Sequence, residues 1–176
     1  ITMIPARISS TRVKKKNIRY LGEIPLISHI IRSAKGSKLA NNIFVNSESE
    51  IFSEIAKDEK VEFYKRPHIH STDSATNDDF TLDFLEKNNC DILIQLLPTS
   101  PFITSEEIDD FINQMISKKY ETLISVTHVQ IEAIYKNNPI NFDQMKQTPP
   151  SQSLMPIKAY ACGTMGWNSN TFKKNM

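Results

Sequence analysis

The stretch Ile92-Leu93-Ile94-Gln95-Leu96-Leu97, closed by Pro98, decides the fold class of this chain. It is almost wholly apolar, and a short apolar run that ends at a turn signal is typical of a strand buried on both faces of a sheet. We therefore expect it to be the central strand. Similar patterns predict further strands at residues 1–4, 43–45, 61–64, 122–126 and 160–167.

Segments with helical periodicity separate these strands. The clearest one contains Ile108, Phe111, Ile112, Met115 and Ile116, which recur at the spacing of one helical face. Strands and helices that alternate along a chain favour an α/β fold, with a mostly parallel sheet and helices on both of its faces. Further helices are predicted from Pro25 to Gly36 and around Phe80 to Leu85. Two capping-box patterns, Ser47 with Glu50 and Thr104 with Glu107, predict that a helix begins at each of these places. Residues 137–156 show little periodicity and are expected to be irregular.

The composition excludes several classes of protein. With 176 residues, 39% of them hydrophobic and 23% charged, the chain is typical of one globular domain. No apolar run approaches the roughly 18 residues of a membrane span. Two cysteines cannot form a disulfide framework, so we expect a cytoplasmic location. The chain lacks an initiator methionine, and we expect residues 1–176 to be a single domain without its C-terminal part.

Basic residues are concentrated at the start of the chain. Residues 1–22 contain six Lys and Arg and no acid, although the net charge of the whole chain is only +1. A local cationic segment on a mildly acidic body predicts a compact polyanion as ligand. A solvated basic turn, and nucleic-acid binding through residues 12–19, are the alternatives.

Three polar segments follow predicted strands, at residues 5–19, 65–76 and 98–104. Ligands of open α/β sheets bind beyond the carboxyl ends of the strands, so we expect these segments to meet in one crevice. Guanidinium, ammonium, hydroxyl and amide groups suit a triphosphate. The first segment offers Arg7, Ser10, Thr11, Arg12, Lys14, Lys15, Lys16 and Asn17, the second Arg66 and Asp73, and the third Thr99 and Ser100.

Other candidate sites have less support. His68 and His70 would share one face of a strand, but no third zinc ligand is visible in the sequence. His29 is expected to be a satisfied core or interface histidine. The acids at positions 78, 79 and 83 are interpreted as a solvated helix face.

Ordered motifs in these segments resemble the acylneuraminate (CMP-sialic acid) cytidylyltransferase family over about residues 1–130. The motifs are Ile4-Pro5-Ala6-Arg7-x-x-Ser10, Lys16-Asn17-Ile18-Arg19-x-Leu21, Pro25-Leu26-Ile27-x-His29, Arg66-Pro67 with Asp73-x-Ala75, and Leu97-Pro98-Thr99-Ser100-Pro101. The resemblance implies a Rossmann-like, three-layer αβα nucleotidyltransferase domain, usually a homodimer. It implies transfer of CMP from CTP to a sialic-acid-like or other keto-sugar acid, with release of pyrophosphate, in nucleotide-sugar biosynthesis.

The resemblance also implies roles for individual residues. Arg7 and Lys16 would be catalytic, and Gln95, Thr99 and Ser100 would bind the sugar acid. Magnesium would be the cofactor, with ligands beyond residue 176 and none in this segment. The nucleotide would be bound by Ala6, Arg7, Ser10, Lys16, Asn17, Arg66, Asp73 and Ala75.

Departures from the family pattern fall mainly in the sugar half. Gln152 stands near the position of the family's arginine for the sugar carboxylate, Ile134 near that of a lysine, and Cys162 replaces an asparagine. The first loop also lacks the family's glycine and proline before Lys16. We therefore expect an altered acceptor, and a non-catalytic nucleotide-binding paralogue is the alternative.

Overall fold

A computed structural model describes residues 1–10, 13–147 and 149–176. Its strands are β1 (Thr2–Pro5), β2 (Tyr20–Leu21), β3 (Ile24–Pro25), β4 (Ile43–Ser47), β5 (Glu62–Lys65), β6 (Ile92–Leu96), β7 (Thr122–Val129), β8 (Ile134–Tyr135), β9 (Asn138–Pro139) and β10 (Ile157–Asn168). Its helices are α1 (Leu26–Gly36), α2 (Glu50–Asp58), α3 (Asn77–Lys87), α4 (Ser105–Ser117) and α5 (Ser169–Asn175). None of the helices in the described ranges has the length and apolar character needed to cross a bilayer.

The chain divides into two compact units. The first consists of Ile1–Leu123 with Gly163–Met176, and the second of Ile124–Cys162. Both β7 and β10 begin in one unit and end in the other.

The first unit is built on a mixed sheet with the strand order β5-β4-β1-β6-β10-β7. The first four of these strands are mutually parallel, and β10 runs antiparallel to β6, with Gly166 opposite Ile94. The α/β class and the mostly parallel sheet predicted from the sequence are thus confirmed. The apolar run at residues 92–97 forms β6, which lies inside the sheet.

Apolar side chains cover both faces of this sheet. Ile4 and Ile94 belong to one buried cluster, while their neighbours Met3 and Leu93 belong to the other. This alternation follows from the two-residue period of a strand. Helices α1, α2 and α4 supply Ile30, Phe52 and Ile108 to the first cluster, and α3 and α5 supply Phe84 and Phe172 to the second.

The second unit contains the segment that was expected to be irregular. It holds the short β8–β9 hairpin and a 3-10 turn at Ser151–Ser153. Side-chain amides hold much of the remaining backbone: Asn141 Nδ2 donates to the carbonyls of Ile131 and Met155 at 2.7 and 2.8 Å. The segment is therefore organised by hydrogen bonds from side chains to the main chain. Such bonds require no regular spacing of apolar residues, so the sequence shows little periodicity there.

Two local expectations need correction. The capping box predicted from Ser47 and Glu50 is wrong, because Ser47 is the last residue of β4 and α2 begins after Ser49, whose side chain makes no cap bond. The acids of α3 are not all solvated: Asp79 forms a capping box with Thr76, and Asp83 accepts a 2.8 Å hydrogen bond from the Tyr64 hydroxyl.

The capping box at Thr104 and Glu107 is confirmed and contributes to the stability of α4. Replacing Thr104 by alanine removes the acceptor for the Glu107 N–H, and we expect a loss of about 1 kcal/mol in the free energy of unfolding. Urea unfolding followed by circular dichroism measures this loss. Ser49→Ala is the matched control and should change the free energy by less than about 0.5 kcal/mol. Equal losses in the two variants would contradict the assignment.

Candidate nucleotide site

The three polar segments meet where β1, β5 and β6 end. A pocket of about 180 Å³ lies at this place and takes side chains from all three segments. Six of the residues that line it were predicted as site residues, and Pro5, Phe80, Leu97 and Pro98 form the rest of its wall. These six are Ala6, Arg7, Lys16, Asn17, Arg66 and Thr99.

Arg7 connects the first segment to the second. It lies two residues after the end of β1, and the intervening Ala6 extends the β1–β4 ladder, because its N–H donates to the Asn46 carbonyl at 3.0 Å. The Arg7 guanidinium donates to the Asp73 carboxylate at 3.0 Å and to the Thr72 carbonyl at 3.5 Å. The Arg7 side chain is 36% exposed and that of Asp73 76%. An ion pair this exposed is weak, so an anion that enters the pocket can compete for Arg7.

Asn17 anchors the first segment to the rest of the site. It lies in a 3-10 turn at Lys16–Ile18, is only 9% exposed, and donates from Nδ2 to the Arg7 carbonyl at 3.2 Å. The turn brings the adjacent Lys16 to the pocket wall. Lys14 and Lys15 instead line a neighbouring cleft with Ser10 and Asp73, whereas Thr11 and Arg12 lie outside the described residues.

Arg66 is the most deeply buried cation of the site, at 4% exposure. Its Nε donates to Asn46 Oδ1 at 2.6 Å, its Nη2 donates to the Asn46 carbonyl at 2.8 Å, and its guanidinium carbon lies 4.1 Å from the Phe80 ring centroid. Burial lowers the pKa of Arg66 to about 10, against the attraction of Glu48 and Asp83. Arg66 therefore stays protonated at neutral pH, and its role includes building the pocket wall.

The structure places the remaining predicted residues differently. Gln95 is fully buried in β6, where its Nε2 donates to Asn77 Oδ1 at 2.6 Å and its Oε1 accepts from Thr81 at 3.4 Å. It thus holds α3 against the sheet and is not one of the residues that line the pocket. Ala75 closes the turn after Thr72 through a 3.3 Å backbone bond.

Thr99 and Ser100 lie at a second opening beside the first. Thr99 lines both, and a volume of about 570 Å³ is bordered by Thr99, Ser100, Phe102 and Glu107 among others. The Ser100 N–H donates to the Leu97 carbonyl at 3.0 Å, which closes a tight turn after β6. This second opening therefore adjoins the first pocket at Thr99.

Sequence reasoning missed Asn46, Phe80 and Glu48. Each follows or faces a predicted strand, but their contacts to Arg66 and to the first segment join residues far apart in the chain. A polar residue directly after the apolar run at 43–45 was the available signal for Asn46.

The expected metal ion would need a group of ligand side chains. Across residues 1–10, 13–147 and 149–176 no group of three or more His, Cys, Asp or Glu side chains is placed to hold a metal ion. His68 and His70 lie in a 3-10 turn and not on a strand. The described residues do not by themselves form a magnesium site.

Comparison with known proteins decides the family. A family model described as cytidylyltransferase matches residues 1–153. The chain belongs to this family. The resemblance noted in the sequence is thereby confirmed.

The relatives carry two names, N-acylneuraminate cytidylyltransferase and 3-deoxy-manno-octulosonate cytidylyltransferase. The chain is 28% identical over 163 residues to the N-acylneuraminate cytidylyltransferase of Escherichia coli O18:K1:H7, covering 92% of this chain and 35% of that protein. It is 33% identical over 135 residues to the N-acylneuraminate cytidylyltransferase of Streptococcus agalactiae serotype III, covering 74% and 32%. It is 27% identical over 185 residues to the 3-deoxy-manno-octulosonate cytidylyltransferase of Rickettsia akari, covering 98% and 72%. The chain thus spans about a third of the length of the N-acylneuraminate relatives.

Solved structures support the same fold. CMP:2-keto-3-deoxy-manno-octonic acid synthetase complexed with CTP matches with a TM-score of 0.74 at 15% identity, covering 99% of this chain and 76% of that one. A cytidylyltransferase from Leptospira borgpetersenii matches with a TM-score of 0.65 at 20% identity, covering 98% and 61%. The nucleotidyltransferase fold expected from the resemblance is confirmed.

The lysines of the first segment should contribute unequally to CTP binding. Lys16 lines the pocket and Lys14 lies outside it, so we expect Lys16→Ala to weaken CTP binding and Lys14→Ala to change it little. Loss of a charge-assisted phosphate contact is worth about 1.5–3 kcal/mol, roughly tenfold to a hundredfold in the dissociation constant. Calorimetric titration of the full-length protein with CTP measures both. Lys15→Ala should also resemble the parent protein; an equal effect of all three variants would contradict the proposed geometry.

Proposed function

We propose that the protein transfers CMP from CTP to a hydroxyl group of a keto-sugar acid and releases pyrophosphate. The observation that carries the proposal is the pocket at the carboxyl ends of β1, β5 and β6, lined by Arg7, Lys16 and Arg66. The cytidylyltransferase family match supports the nucleotide, and the names of the relatives support the class of acceptor.

In the proposed reaction, the acceptor oxygen attacks the α-phosphorus of CTP. A new oxygen–phosphorus bond forms and the hydroxyl proton passes to solvent. The bond from the α-phosphorus to the bridging oxygen breaks, and pyrophosphate leaves with the bond's electron pair. Positioning the two reactants in line supplies much of the rate enhancement. Arg7 and Lys16 would stabilise the negative charge that develops on pyrophosphate, because both lie at the pocket wall.

The second opening would accommodate the acceptor. Thr99 borders both spaces, and Ser100 borders the larger one, so a sugar there would lie next to a nucleotide in the pocket. The base of the nucleotide would pack near Ala6, Arg66 and Ala75, as the resemblance implies. Ser10 and Asn17 would help hold the phosphates, Asn17 through the loop that it anchors, and Asp73 would contribute to nucleotide binding through its ion pair with Arg7.

Magnesium and the homodimer, which the resemblance implies, stay predictions, as does the cytoplasmic location expected from the two cysteines. The homodimer has independent support from the second unit, which exposes many large apolar side chains for its size. These include Ile131, Ile134, Tyr135, Ile140, Met145 and Met155, each at least 56% exposed.

The full-length protein should bind CTP in preference to other nucleoside triphosphates. The pocket is small and lined on several sides by proline and aromatic side chains, so a larger purine base would fit it less well. Calorimetric titrations with CTP, ATP and GTP test the preference. Equal affinity for the three would contradict it. CTP binding without pyrophosphate release in the presence of any acceptor would favour the non-catalytic alternative.

N-acetylneuraminate should be a poor acceptor. A carboxylate is best recognised by a bidentate guanidinium, and no arginine occurs after Arg66 in this chain. The second unit has three lysines that could replace such an arginine. Lys136 lies 5.4 Å from the Tyr135 ring centroid, Lys146 is paired with Asp143 at 3.1 Å, and Lys158 is the candidate near the start of β10. We expect turnover at least about tenfold below that of the best acceptor.

A panel of keto-sugar acids, assayed for pyrophosphate release from CTP, measures this preference. The panel should include 3-deoxy-manno-octulosonate, because relatives of both kinds match the chain. Efficient turnover of N-acetylneuraminate that is undiminished in Lys158→Ala would show that the interpretation of the acceptor half is wrong.

A further inference from the structure

The peptide group between Arg7 and Ile8 is held at both of its polar ends. Its carbonyl oxygen, on Arg7, accepts a hydrogen bond from Asn17 Nδ2 at 3.2 Å. Its N–H, on Ile8, donates to the Glu48 carboxylate at 2.8 Å. A peptide group is planar, so fixing both ends fixes the direction in which the chain leaves β1. The Arg7 side chain is attached directly to this plane.

Glu48 reaches the peptide from the end of β4. The residue follows Ser47, the last residue of that strand, and is partly buried. Its second carboxylate oxygen accepts from the Ser47 hydroxyl at 3.2 Å, and the Ser47 hydroxyl in turn accepts from the Ser49 N–H at 3.3 Å. These bonds orient the carboxylate: one of its oxygens accepts from Ile8 and the other from Ser47.

The charge of Glu48 makes this arrangement informative. The carboxylate lies near cations, and it stabilises the protonated form of the buried Arg66. A negative charge beside a pocket for a triphosphate opposes the binding of that ligand. A neutral acceptor would hold the peptide without this repulsion. The repulsion between Glu48 and the ligand is therefore offset by the hydrogen bond that Glu48 accepts from Ile8 and by its attraction to Arg66.

We propose that Glu48 is a positioning residue: through the Arg7–Ile8 peptide it holds Arg7 and the start of the phosphate-binding segment in their working arrangement. The inference rests on the proposed function for its effect on turnover. The clamp on the peptide is a property of the folded chain and can be measured without any substrate.

Four variants of the full-length protein separate geometry from charge. Glu48→Gln keeps an oxygen acceptor for the Ile8 N–H and removes the charge. Glu48→Asp keeps the charge, but its shorter side chain cannot reach Ile8. Glu48→Ala removes both, and Glu50→Ala is the matched control, because Glu50 is an exposed acid two residues on that pairs with Lys65 and not with the first segment.

The proposal predicts a split between kcat and KM. Glu48→Ala and Glu48→Asp should lose about tenfold or more in kcat, the loss expected when one charge-assisted hydrogen bond no longer positions a catalytic group. Glu48→Gln should keep kcat within about twofold and should not raise the KM for CTP, because it preserves the contact and removes a repulsive charge. Glu50→Ala should resemble the parent protein in both.

Amide hydrogen exchange at Ile8 provides the readout that is independent of activity. Exchange should be about tenfold faster in Glu48→Ala and Glu48→Asp, and unchanged in Glu48→Gln and Glu50→Ala. Unchanged exchange in Glu48→Asp, or a parental kcat in that variant, would overturn the proposal. If the parent protein neither binds CTP nor releases pyrophosphate, the proposed function fails, while exchange at Ile8 still decides the clamp.

Discussion

The buried contact between Asn46 and Arg66 is the constraint on which the candidate site depends. The Asn46 carbonyl accepts hydrogen bonds from both the Ala6 N–H and Arg66 Nη2, and the Asn46 side chain accepts from Arg66 Nε. One residue of β4 thereby fixes the chain that leaves β1 and the chain that leaves β5. Without it, a guanidinium at 4% exposure would have lost water without these two hydrogen bonds in exchange, which is strongly unfavourable.

The consequences extend from this contact to the pocket wall. Arg66 lies against the ring of Phe80 on α3, and α3 is held to β6 by the bonds among Gln95, Asn77 and Thr81. Buried polar groups that are fully paired specify one arrangement of the elements that carry them. The polar residues beneath the pocket therefore act as its frame, while the side chains that face the space are the more exposed Arg7 and Lys16.

Much of the fold could be predicted from the sequence, because its signals are local. The run at residues 92–97 and the spacing from Ile108 to Ile116 each identify an element without reference to the rest of the chain. The failure at Ser47 and Glu50 is instructive. The pattern was present, but pairing with β5 extends β4 through Ser47, and the helix starts later. Tertiary pairing here overrides a local capping signal.

In the candidate site, too, the features with local sequence signals could be predicted, and those that depend on distant residues could not. The motifs predicted which segments would meet, since their residues are close in sequence to the ends of strands. The partners of Arg66 and Ile8 come from positions 46 and 48, about 20 and 40 residues away, and no local pattern connects them. Helix α5 and the β2–β3 pair were also missed, because elements this short are stabilised by packing and not by their own sequence.

Residues 5–21 contain no glycine, and this affects how the anion affinity of such a loop can change among homologous chains. A phosphate cradle made of backbone amides depends on a few irreplaceable glycines, and it is kept or lost as a whole. A cradle made of separate side chains can be altered one substitution at a time, each with a graded effect on affinity and on its dependence on salt. Homologous chains with this loop can therefore adjust how strongly they hold an anion while the sheet beneath stays the same.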